Sequence, residues 1–290
     1  MRLTTVLASA RPAFLPLTVV CVLLGIALAE GPVSLPLAAW ITLGAVAAHV
    51  SVNALNEYED YASGLDLHTR RTPFSGGSGA LPADPDALAG VRWLAVASLA
   101  IAALVGATIV GRLGAAMLPA GLLGLGLVVT YTRWLNRRPW PCLLAPGTGF
   151  GLLMVPATQF ALTGVPRPES LLVALVPFLL VNNLLLLNQY PDVAADAAAG
   201  RRHVPIVYGP RTANRVYAAQ WLGAGVLLVA LPSTGVLPPP ALLALLPWSA
   251  GAYALRGALV HGFRIGEAPR YLAANVIAAL LTPLLLALTA

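Results

Sequence analysis

Charged residues are scarce in this chain of 290 residues, because Asp, Glu, Lys and Arg together make up only 10% of it. A soluble domain usually carries about 25% charged residues. Hydrophobic residues make up 58% of the chain, and its mean hydropathy is +0.81. The composition therefore excludes an ordinary soluble domain and predicts an integral membrane protein.

Lysine is absent, and cysteine occurs only twice. All 17 basic residues are Arg, set against 11 carboxylates, which gives a formal net charge of +6. An excess of basic charge can indicate a nucleic-acid partner. In a membrane protein, however, basic residues usually sort loops to the cytoplasm, so no nucleic-acid partner is expected. Cys21 and Cys142 give no disulfide framework and no metal-ligand spacing, so we predict that both are packing residues.

Apolar runs recur along the whole chain. A helix needs about 20 apolar residues to cross a bilayer, and nine segments approach that length. They cover residues 12–29, 36–56, 88–110, 113–131, 142–163, 170–188, 212–232, 239–256 and 269–289. We therefore predict an all-α, polytopic membrane protein with about nine transmembrane helices, in a single domain over residues 1–290.

The first apolar run has a second interpretation. Its Ala27-Leu28-Ala29 sequence resembles the cleavage site of a secretory signal peptide. However, Arg11 lies late in the segment, and the run is long for the apolar part of a signal peptide. We therefore expect it to remain as the first transmembrane helix.

The arginines are distributed unevenly between the two sides of this predicted topology. With the N-terminus in the cytoplasm, 15 of the 17 arginines fall in cytoplasmic segments, and only Arg112 and Arg167 fall on the other side. Positive residues are retained on the cytoplasmic side of membrane proteins. The pattern predicts a protein of a bacterial inner or plasma membrane, with its N-terminus facing the cytoplasm.

Carboxylates concentrate in two segments that this topology also places in the cytoplasm. The loops after the second and sixth predicted helices have about 31 and 23 residues, and loops longer than about 12–15 residues are usually functional. They hold six of the 11 acidic residues: Glu57, Glu59, Asp60, Asp66, Asp192 and Asp196.

The Asn and Asp residues of both segments repeat with helical spacing. Residues three or four apart share one helix face, and the second row has this property if its helix continues past Pro191. The two rows are His49, Asn53, Asn56 and Asp60, and Asn188, Asp192 and Asp196. The pattern Asn-x3-Asp thus occurs twice, which hints at the internal duplication found in several membrane folds.

Two facing rows of carboxylates would repel each other unless cations lay between them. Mg²⁺ suits such a place, because it takes oxygen ligands from one or two carboxylates and fills its shell with water and substrate phosphates. Neighbouring arginines can bind phosphate oxygens in bidentate fashion. The pattern predicts a diphosphate site at the mouth of an apolar cavity, fitting an amphiphile with a diphosphate head and a hydrocarbon tail.

Ordinary solvated loops are the alternative interpretation. Two matching segments, each followed by glycine and an arginine pair, favour a site. The glycine-rich run at 75–79 could be a phosphate-cradling turn or a flexible connector, and the sequence does not decide between them.

The first segment resembles a motif of the UbiA-type intramembrane prenyltransferases. In the dihydroxynaphthoate (menaquinone-pathway) branch, that motif is roughly Asn-Asp-x2-Asp-x5-Asp. It is similar to Asn56-Glu57-Tyr58-Glu59-Asp60 followed by Asp66. The sequences Arg71-Thr72-Pro73 and Ser75-Gly76 also resemble this family.

The second segment is similar to the family motif Asp-x3-Asp-x3-Gly at Asp192, Asp196 and Gly200. Nine helices with motif segments after the second and sixth also agree, so the resemblance covers nearly the whole chain. It implies helices around a central cavity that is capped by the cytoplasmic motif segments.

The resemblance implies Mg²⁺-dependent transfer of an isoprenoid chain from a prenyl diphosphate to a small aromatic or quinone-precursor acceptor. Implied catalytic residues are Asp60, Asp66, Asp192 and Asp196, and implied Mg²⁺ ligands are these four with Asn56. Predicted substrate-binding residues are Asn56, Asn188, Arg70, Arg71, Tyr131, Arg137, Arg201 and Arg202. The family's Tyr and Lys contacts with the diphosphate have no clean match in this chain, and Tyr131 with Arg133, Arg137 or Arg138 would replace them.

Two departures from the naphthoate branch leave the acceptor open. Glu57 stands where the branch usually has Asp, and its extra methylene leaves open whether it reaches the metal. The Gly-Leu-Gly-Glu-like stretch of that branch is absent, since this chain has Leu144-Ala145-Pro146-Gly147.

Arg11 and His49 each allow two interpretations. Arg11 can reach the diphosphate or anchor the first helix at the interface, and the anchor is slightly favoured. His49 is favoured as a packing residue over a residue that binds the acceptor.

Two other functions stay open. A membrane terpene cyclase of the same fold would quench the allylic cation internally, but the low aromatic content of 7% leans towards transfer. A cation transporter would need ionisable residues near the bilayer midplane, whereas these lie at one face.

Overall fold

The computed structural model of the protein describes residues 2–69 and 71–290, which form helices and turns without strands. The α-helices of this part are α1 (Leu3–Ser9), α2 (Pro16–Ala27), α3 (Leu35–Ala62), α4 (Ala80–Ala83), α5 (Leu88–Leu113), α6 (Leu118–Thr130), α7 (Pro139–Gly147), α8 (Val155–Thr163), α9 (Pro168–Asn188), α10 (Val193–Ala198), α11 (Val204–Ser233), α12 (Leu245–His261) and α13 (Pro269–Thr289). The predicted all-α class is confirmed.

Seven helices in the described part of the chain are long and apolar enough to cross a membrane. The bent pair Leu3–Phe14 and Pro16–Ala27, with 49° between its halves, gives an eighth if it forms one span. The predicted span at 113–131 corresponds to the shorter apolar helix Ala115–Thr130, which falls below the length that a bilayer requires. The membrane architecture is confirmed, whereas the count of nine stays a prediction.

Helix α3 carries Asn56 to Asp60 of the first motif on its last turns, and Asp66 lies in the turn Leu65–Leu67 that follows. The helix extends beyond the predicted span, which ends at residue 56, and continues to Ala62 without meeting Gly or Pro. Gly64 then takes a φ of 79°, the left-handed conformation that commonly follows the end of a helix. Asn56 and Asp60 therefore lie one turn apart, and the Asn56 amide donates to Asp60 Oδ2 over 3.0 Å.

The row of Asn188, Asp192 and Asp196 is interrupted at Pro191. The condition for a shared helix face, that one helix continues past Pro191, is not met, because α9 ends at Asn188 and α10 begins at Val193. Proline has no backbone N–H to donate, and its ring clashes with the preceding helical turn. Asp192 consequently lies in the turn between the helices and Asp196 on α10, so neither shares a continuous helix face with Asn188.

Buried amides fix α9, which lies among α7, α8, α11 and α13. The Asn183 amide donates to the Tyr217 carbonyl on α11 over 2.9 Å, and the Asn275 amide of α13 donates to the Asn183 carbonyl over 3.0 Å. The Tyr217 hydroxyl closes the network by donating to Asn275 Oδ1 over 2.9 Å. On the α7 side, Asn182 Oδ1 accepts from the Gly147 N–H over 2.8 Å. Interhelical hydrogen bonds of this kind hold membrane helices in register.

A π-helical segment, Thr148–Met154, joins α7 to α8 within one apolar span. Wide turns of this type are frequently found at functional sites. The segment places Phe150 edge-on to His49 of α3, with ring centroids 4.8 Å apart. His49 Nδ1 also shares a hydrogen bond of 2.7 Å with the Thr18 hydroxyl of α2, so His49 connects three spans.

Replacing Asn275 by Leu is expected to destabilise the helix assembly by about 1–3 kcal/mol, because two interhelical hydrogen bonds of about 0.6–1.7 kcal/mol each are lost. The measurement is the thermal unfolding midpoint in detergent. The matched control is Ile277→Ala on the same helix, where the side chain is 44% exposed. A midpoint for the Asn275 variant no lower than that of the control would contradict the role given to this network.

Candidate active site

Both acidic segments meet at one end of the helix assembly, around a cavity of about 200 Å³. The polar part of its wall includes Arg11, Asn53, Asn56, Asp60, Asp66, Asn188, Asp192, Asp196 and Arg201. The apolar part includes Phe14, Leu17, Pro146, Phe150, Val181, Leu184 and Leu185. Charged oxygen atoms therefore adjoin an apolar chamber.

Arg201 lies between the two motifs. Its guanidinium pairs with Asp60 on α3 and with Oδ1 of Asp196 on α10, the latter over 2.8 Å. The side chains of Arg201, Asp60 and Asp196 are only 18%, 10% and 5% exposed, so water screens these charges weakly. Two carboxylates this close repel each other without a cation. The chain itself supplies that cation.

A sharp turn after α10 brings Arg201 into this position. Gly200 has a φ of 80°, and the backbone N–H of Arg201 returns to the Asp196 carbonyl over 2.9 Å. The second carboxylate oxygen of Asp196 pairs with His203 Nε2 over 2.8 Å. Asp196 is therefore held from two sides.

The glycine-rich run is an ordered connection between the motifs, and we call residues 75–79 the glycine strap. At one end, the Gly76 N–H donates to Asp192 Oδ2 over 2.9 Å. At the other end, the N–H and hydroxyl of Ser78 donate to the two carboxylate oxygens of Glu57 over 2.7 and 2.6 Å. The glycine strap thus ties α3 to the turn before α10.

Three buried oxygen atoms on the cavity wall have no hydrogen-bond partner among the described residues. They are Oδ2 of Asp66, in the turn Leu65–Leu67, Oδ1 of Asn136, in the turn Leu135–Arg137, and Oδ1 of Asn188, the last residue of α9. Buried polar atoms are nearly always paired. Unpaired acceptors beside a cavity indicate a place for a cation or a hydrogen-bond donor.

Burial and like charges act on the two carboxyl groups that lie in turns. Burial raises the pKa of Asp66 to about 7, and the charges of Asp60 and Glu57 act in the same direction. Burial, followed by the charge of Asp196, raises the pKa of Asp192 to about 7. The neighbouring arginines oppose both pKa shifts. Both carboxyls are therefore partly protonated near neutral pH, and a cation that binds them must displace protons.

The oxygen donors fit Mg²⁺, although they do not form a closed cluster. Within residues 2–69 and 71–290, no three His, Cys, Asp or Glu side chains converge as a metal-binding group. Mg²⁺ does not require such a group, because it usually takes one or two carboxylates and completes its shell with water and phosphate oxygens. The unpaired oxygens of Asp66 and Asn188 are donors of the type it prefers.

The predicted phosphate-binding side chains divide into two groups. Tyr131 and Arg201 line the cavity. Three others are exposed and lie outside the cavity wall: Arg71, Arg137 and Arg202. Arg70 lies outside the described residues.

The cavity wall also contains residues that the motifs do not single out. Asn136 lies in the connection after α6, and Gln189 directly follows the last residue of α9. Arg11 lines the cavity as well, which favours the diphosphate over the interface anchor. His49 and Asn53 precede Asn56 and Asp60 at helical spacing on α3. For these two residues, that spacing is the sequence signal that predicts a place on the cavity wall.

The chain is similar to solved membrane-protein structures over nearly its whole length. An apo UbiA homologue from Aeropyrum pernix K1 gives a TM-score of 0.69 at 21% identity, covering 96% of each chain. A UbiA homologue from Archaeoglobus fulgidus bound to DMAPP and Mg²⁺ gives a TM-score of 0.68 at 16% identity, and the match covers 95% of this chain and 99% of that one. A structure of digeranylgeranylglyceryl phosphate synthase gives a TM-score of 0.67 at 13% identity, and the match covers 99% of both chains. At these identities the likeness shows the shared fold.

Sequence comparison adds the family to the fold. No curated protein matches this chain. The UbiA prenyltransferase family matches residues 18–273, which contain both motifs, the glycine strap and Arg201. Because the match covers most of the sequence, this chain belongs to the UbiA prenyltransferase family.

Proposed function

We propose that this prenyltransferase transfers an isoprenoid chain from a prenyl diphosphate to an aromatic or quinone-precursor acceptor within the membrane, with Mg²⁺ as its cofactor. The observation that carries the proposal is the cavity, in which two carboxylate motifs and Arg201 adjoin an apolar chamber. This arrangement matches a ligand with a charged head and a hydrocarbon tail. The Archaeoglobus fulgidus homologue, which binds DMAPP or GPP together with Mg²⁺, supports the same ligand class.

Carboxylates from both motifs would hold the metal against the diphosphate. The proposed ligands are Asn56, Asp60, Asp66, Asp192 and Asp196. When bound, Mg²⁺ supplies positive charge that neutralises the diphosphate and makes it a better leaving group. Asn188, the last residue of α9, orients Asp192 or adds its unpaired oxygen to the ligands.

Arg201 would contact the diphosphate directly. In the structure its guanidinium is held by Asp60 and Asp196, the two carboxylates that Mg²⁺ would engage. With Mg²⁺ held by these carboxylates, the guanidinium would be free to bind phosphate oxygens, for which its planar fork is well suited. Tyr131 lies on the same wall and can donate its hydroxyl proton to a phosphate oxygen.

The apolar wall would hold the isoprenoid tail and exclude water. Cleavage of the C–O bond to the diphosphate leaves an allylic cation. An electron-rich carbon of the acceptor forms the new C–C bond and then loses its proton to the released diphosphate, which restores the aromaticity of the ring. A dry chamber protects the cation from water, and Phe14 and Phe150 can face it with their π systems.

We further propose that residues 1–290 form a single domain with the N-terminus and both motif segments facing the cytoplasm of a bacterial inner membrane. Support comes from the arginine distribution, with 15 of 17 on that side of the predicted topology. The carboxylates lie at helix ends at one side of the assembly rather than in the middle of the spans, which disfavours a cation transporter.

Asp60→Asn and Asp192→Asn are each expected to lower the release of diphosphate from geranylgeranyl diphosphate by about 100-fold or more, because each removes charge that stabilises the leaving group. The measurement is Mg²⁺-dependent diphosphate release by the purified protein. The control is Asp86→Asn, at an exposed carboxylate outside the cavity wall. Wild-type rates in either cavity variant would contradict the proposed site.

The organic product separates transfer from internal cyclisation. Incubation with geranylgeranyl diphosphate and a panel of aromatic acceptors is expected to give a prenylated acceptor, identified by mass spectrometry. The donor alone is expected to give no hydrocarbon. A cyclic hydrocarbon formed without acceptor would replace the transferase proposal by a terpene cyclase.

Mg²⁺ binding without donor is expected to strengthen as the pH rises through 7. The pKa values of Asp66 and Asp192 are raised to about 7, so the metal-free protein holds protons there below that pH. Mg²⁺ binds only the ionised carboxylates. Calorimetry should therefore show an affinity gain of about tenfold per carboxylate between pH 6 and 8, with proton release at pH 7. A flat affinity without proton release would show that neither group is a ligand.

A further inference from the structure

The carboxylate of Glu57 differs from those of the aspartates in the two motifs because it is directed away from the cavity. It is fully buried, and it does not line the cavity although it follows Asn56 on α3. One residue along a helix is a rotation of about 100°, which turns Glu57 away from the face that carries Asn56 and Asp60. Within the described part of the chain, all hydrogen bonds and ion pairs of its carboxylate go to Arg11 and Ser78.

The contact with Arg11 orients a guanidinium on the cavity wall. Glu57 Oε1 accepts from Arg11 Nε over 2.7 Å and lies 2.6 Å from Nη2. Among the described residues, no hydrogen bond uses the remaining nitrogen, Nη1. Arg11 itself lines the cavity, so part of its guanidinium is available to an anion there.

The backbone of Arg11 is held in an unfavourable conformation. Its φ is 49°, the one positive φ of a non-glycine residue in the described part of the chain. A left-handed conformation costs about 1–2 kcal/mol for a residue with a side chain. Strain of this kind persists where the surroundings enforce it, often at functional sites, and the side chain of this strained residue is held by the ion pair with Glu57.

The contact with Ser78 fixes the glycine strap over the same cavity. Ser78 binds both oxygens of Glu57, while Gly76 binds Asp192 on the far side. Between them, Gly77 has a φ of 74°, and a Cβ at this position would approach Asp66 Oδ1 to 3.1 Å and Glu57 Oε1 to 3.4 Å. The glycine strap therefore fits closely against the carboxylate that anchors it.

We propose that Glu57 is a positioning residue for the donor diphosphate and not a metal ligand: it fixes the Arg11 guanidinium and the glycine strap at the cavity, where both meet the diphosphate. The inference rests on the proposed function. The motif usually has Asp at this position, which is shorter by one methylene, and the longer Glu side chain reaches Arg11 and Ser78 together.

The test measures binding of inorganic diphosphate in the presence of Mg²⁺ by calorimetry, on the purified full chain. Glu57→Gln is expected to weaken this binding about tenfold. It should raise KM for geranylgeranyl diphosphate by a similar factor, with a smaller effect on kcat. The Mg²⁺ concentration that gives half-maximal binding should stay unchanged. The matched control is Glu59→Gln, two residues along the same helix and outside the cavity wall, which should bind like wild type.

A double-mutant cycle tests whether Glu57 acts through Arg11. The effect of Glu57→Gln is expected to shrink to about twofold or less in an Arg11→Gln background, because the guanidinium that it positions is gone. Additive effects would overturn the inference. A rise in the Mg²⁺ requirement of Glu57→Gln would also overturn it, by making Glu57 a ligand.

Glu57→Asp covers the case in which Glu57→Gln does not fold. It keeps the negative charge beside Arg11 and shortens the side chain, so diphosphate binding should weaken several-fold at an unchanged Mg²⁺ requirement. Wild-type binding by this variant would overturn the inference.

Diphosphate binding does not require turnover, so a chain that binds diphosphate without reacting with any prenyl donor would refute the proposed function alone. A wild type that binds no diphosphate would overturn the inference itself.

Discussion

The ion pairs of Arg201 are the interaction on which the architecture of the site depends. Asp60 and Asp196 come from helices far apart in the sequence, and both are buried. Without a cation between them, their repulsion would force the two motifs apart. The guanidinium holds the end of α3 against α10, and all three paired residues lie on the cavity wall. Removing one partner of a buried pair is strongly destabilising, since an uncompensated charge remains.

The glycine strap is a second connection across the same cavity, and it leaves some oxygens unused. Glu57 and Asp192 anchor its two ends, whereas Asp66 and Asn188 keep oxygens without partners. The site thus contains carboxylates that are neutralised by protein groups and hydrogen-bond acceptors that have no protein partner. A bound metal and diphosphate would supply partners for the unpaired oxygens. They would also replace the protein groups that now neutralise the other carboxylates.

The sequence predicted the class of the protein and the two motifs better than the connections between them. Apolar runs of bilayer length specify the spans directly, and the Asn56–Asp60 spacing specifies a helix face. Helix ends were less predictable, since α3 runs to Ala62 and a proline interrupts the second row. The pairing of Arg11 with Glu57, 46 residues apart, cannot be predicted from the local periodicity of the sequence. Distant partners of this kind depend on how the spans pack, which periodicity does not report.

In the proposed mechanism, Arg201 holds the two motifs together until a metal-bound diphosphate takes over its carboxylates. A structure of the protein with Mg²⁺ and an unreactive prenyl thiolodiphosphate tests this most directly. The account predicts that the Arg201 guanidinium leaves Asp60 and contacts a diphosphate oxygen, while aspartates of both motifs ligate Mg²⁺. A diphosphate bound elsewhere, with Arg201 still between Asp60 and Asp196, would contradict it.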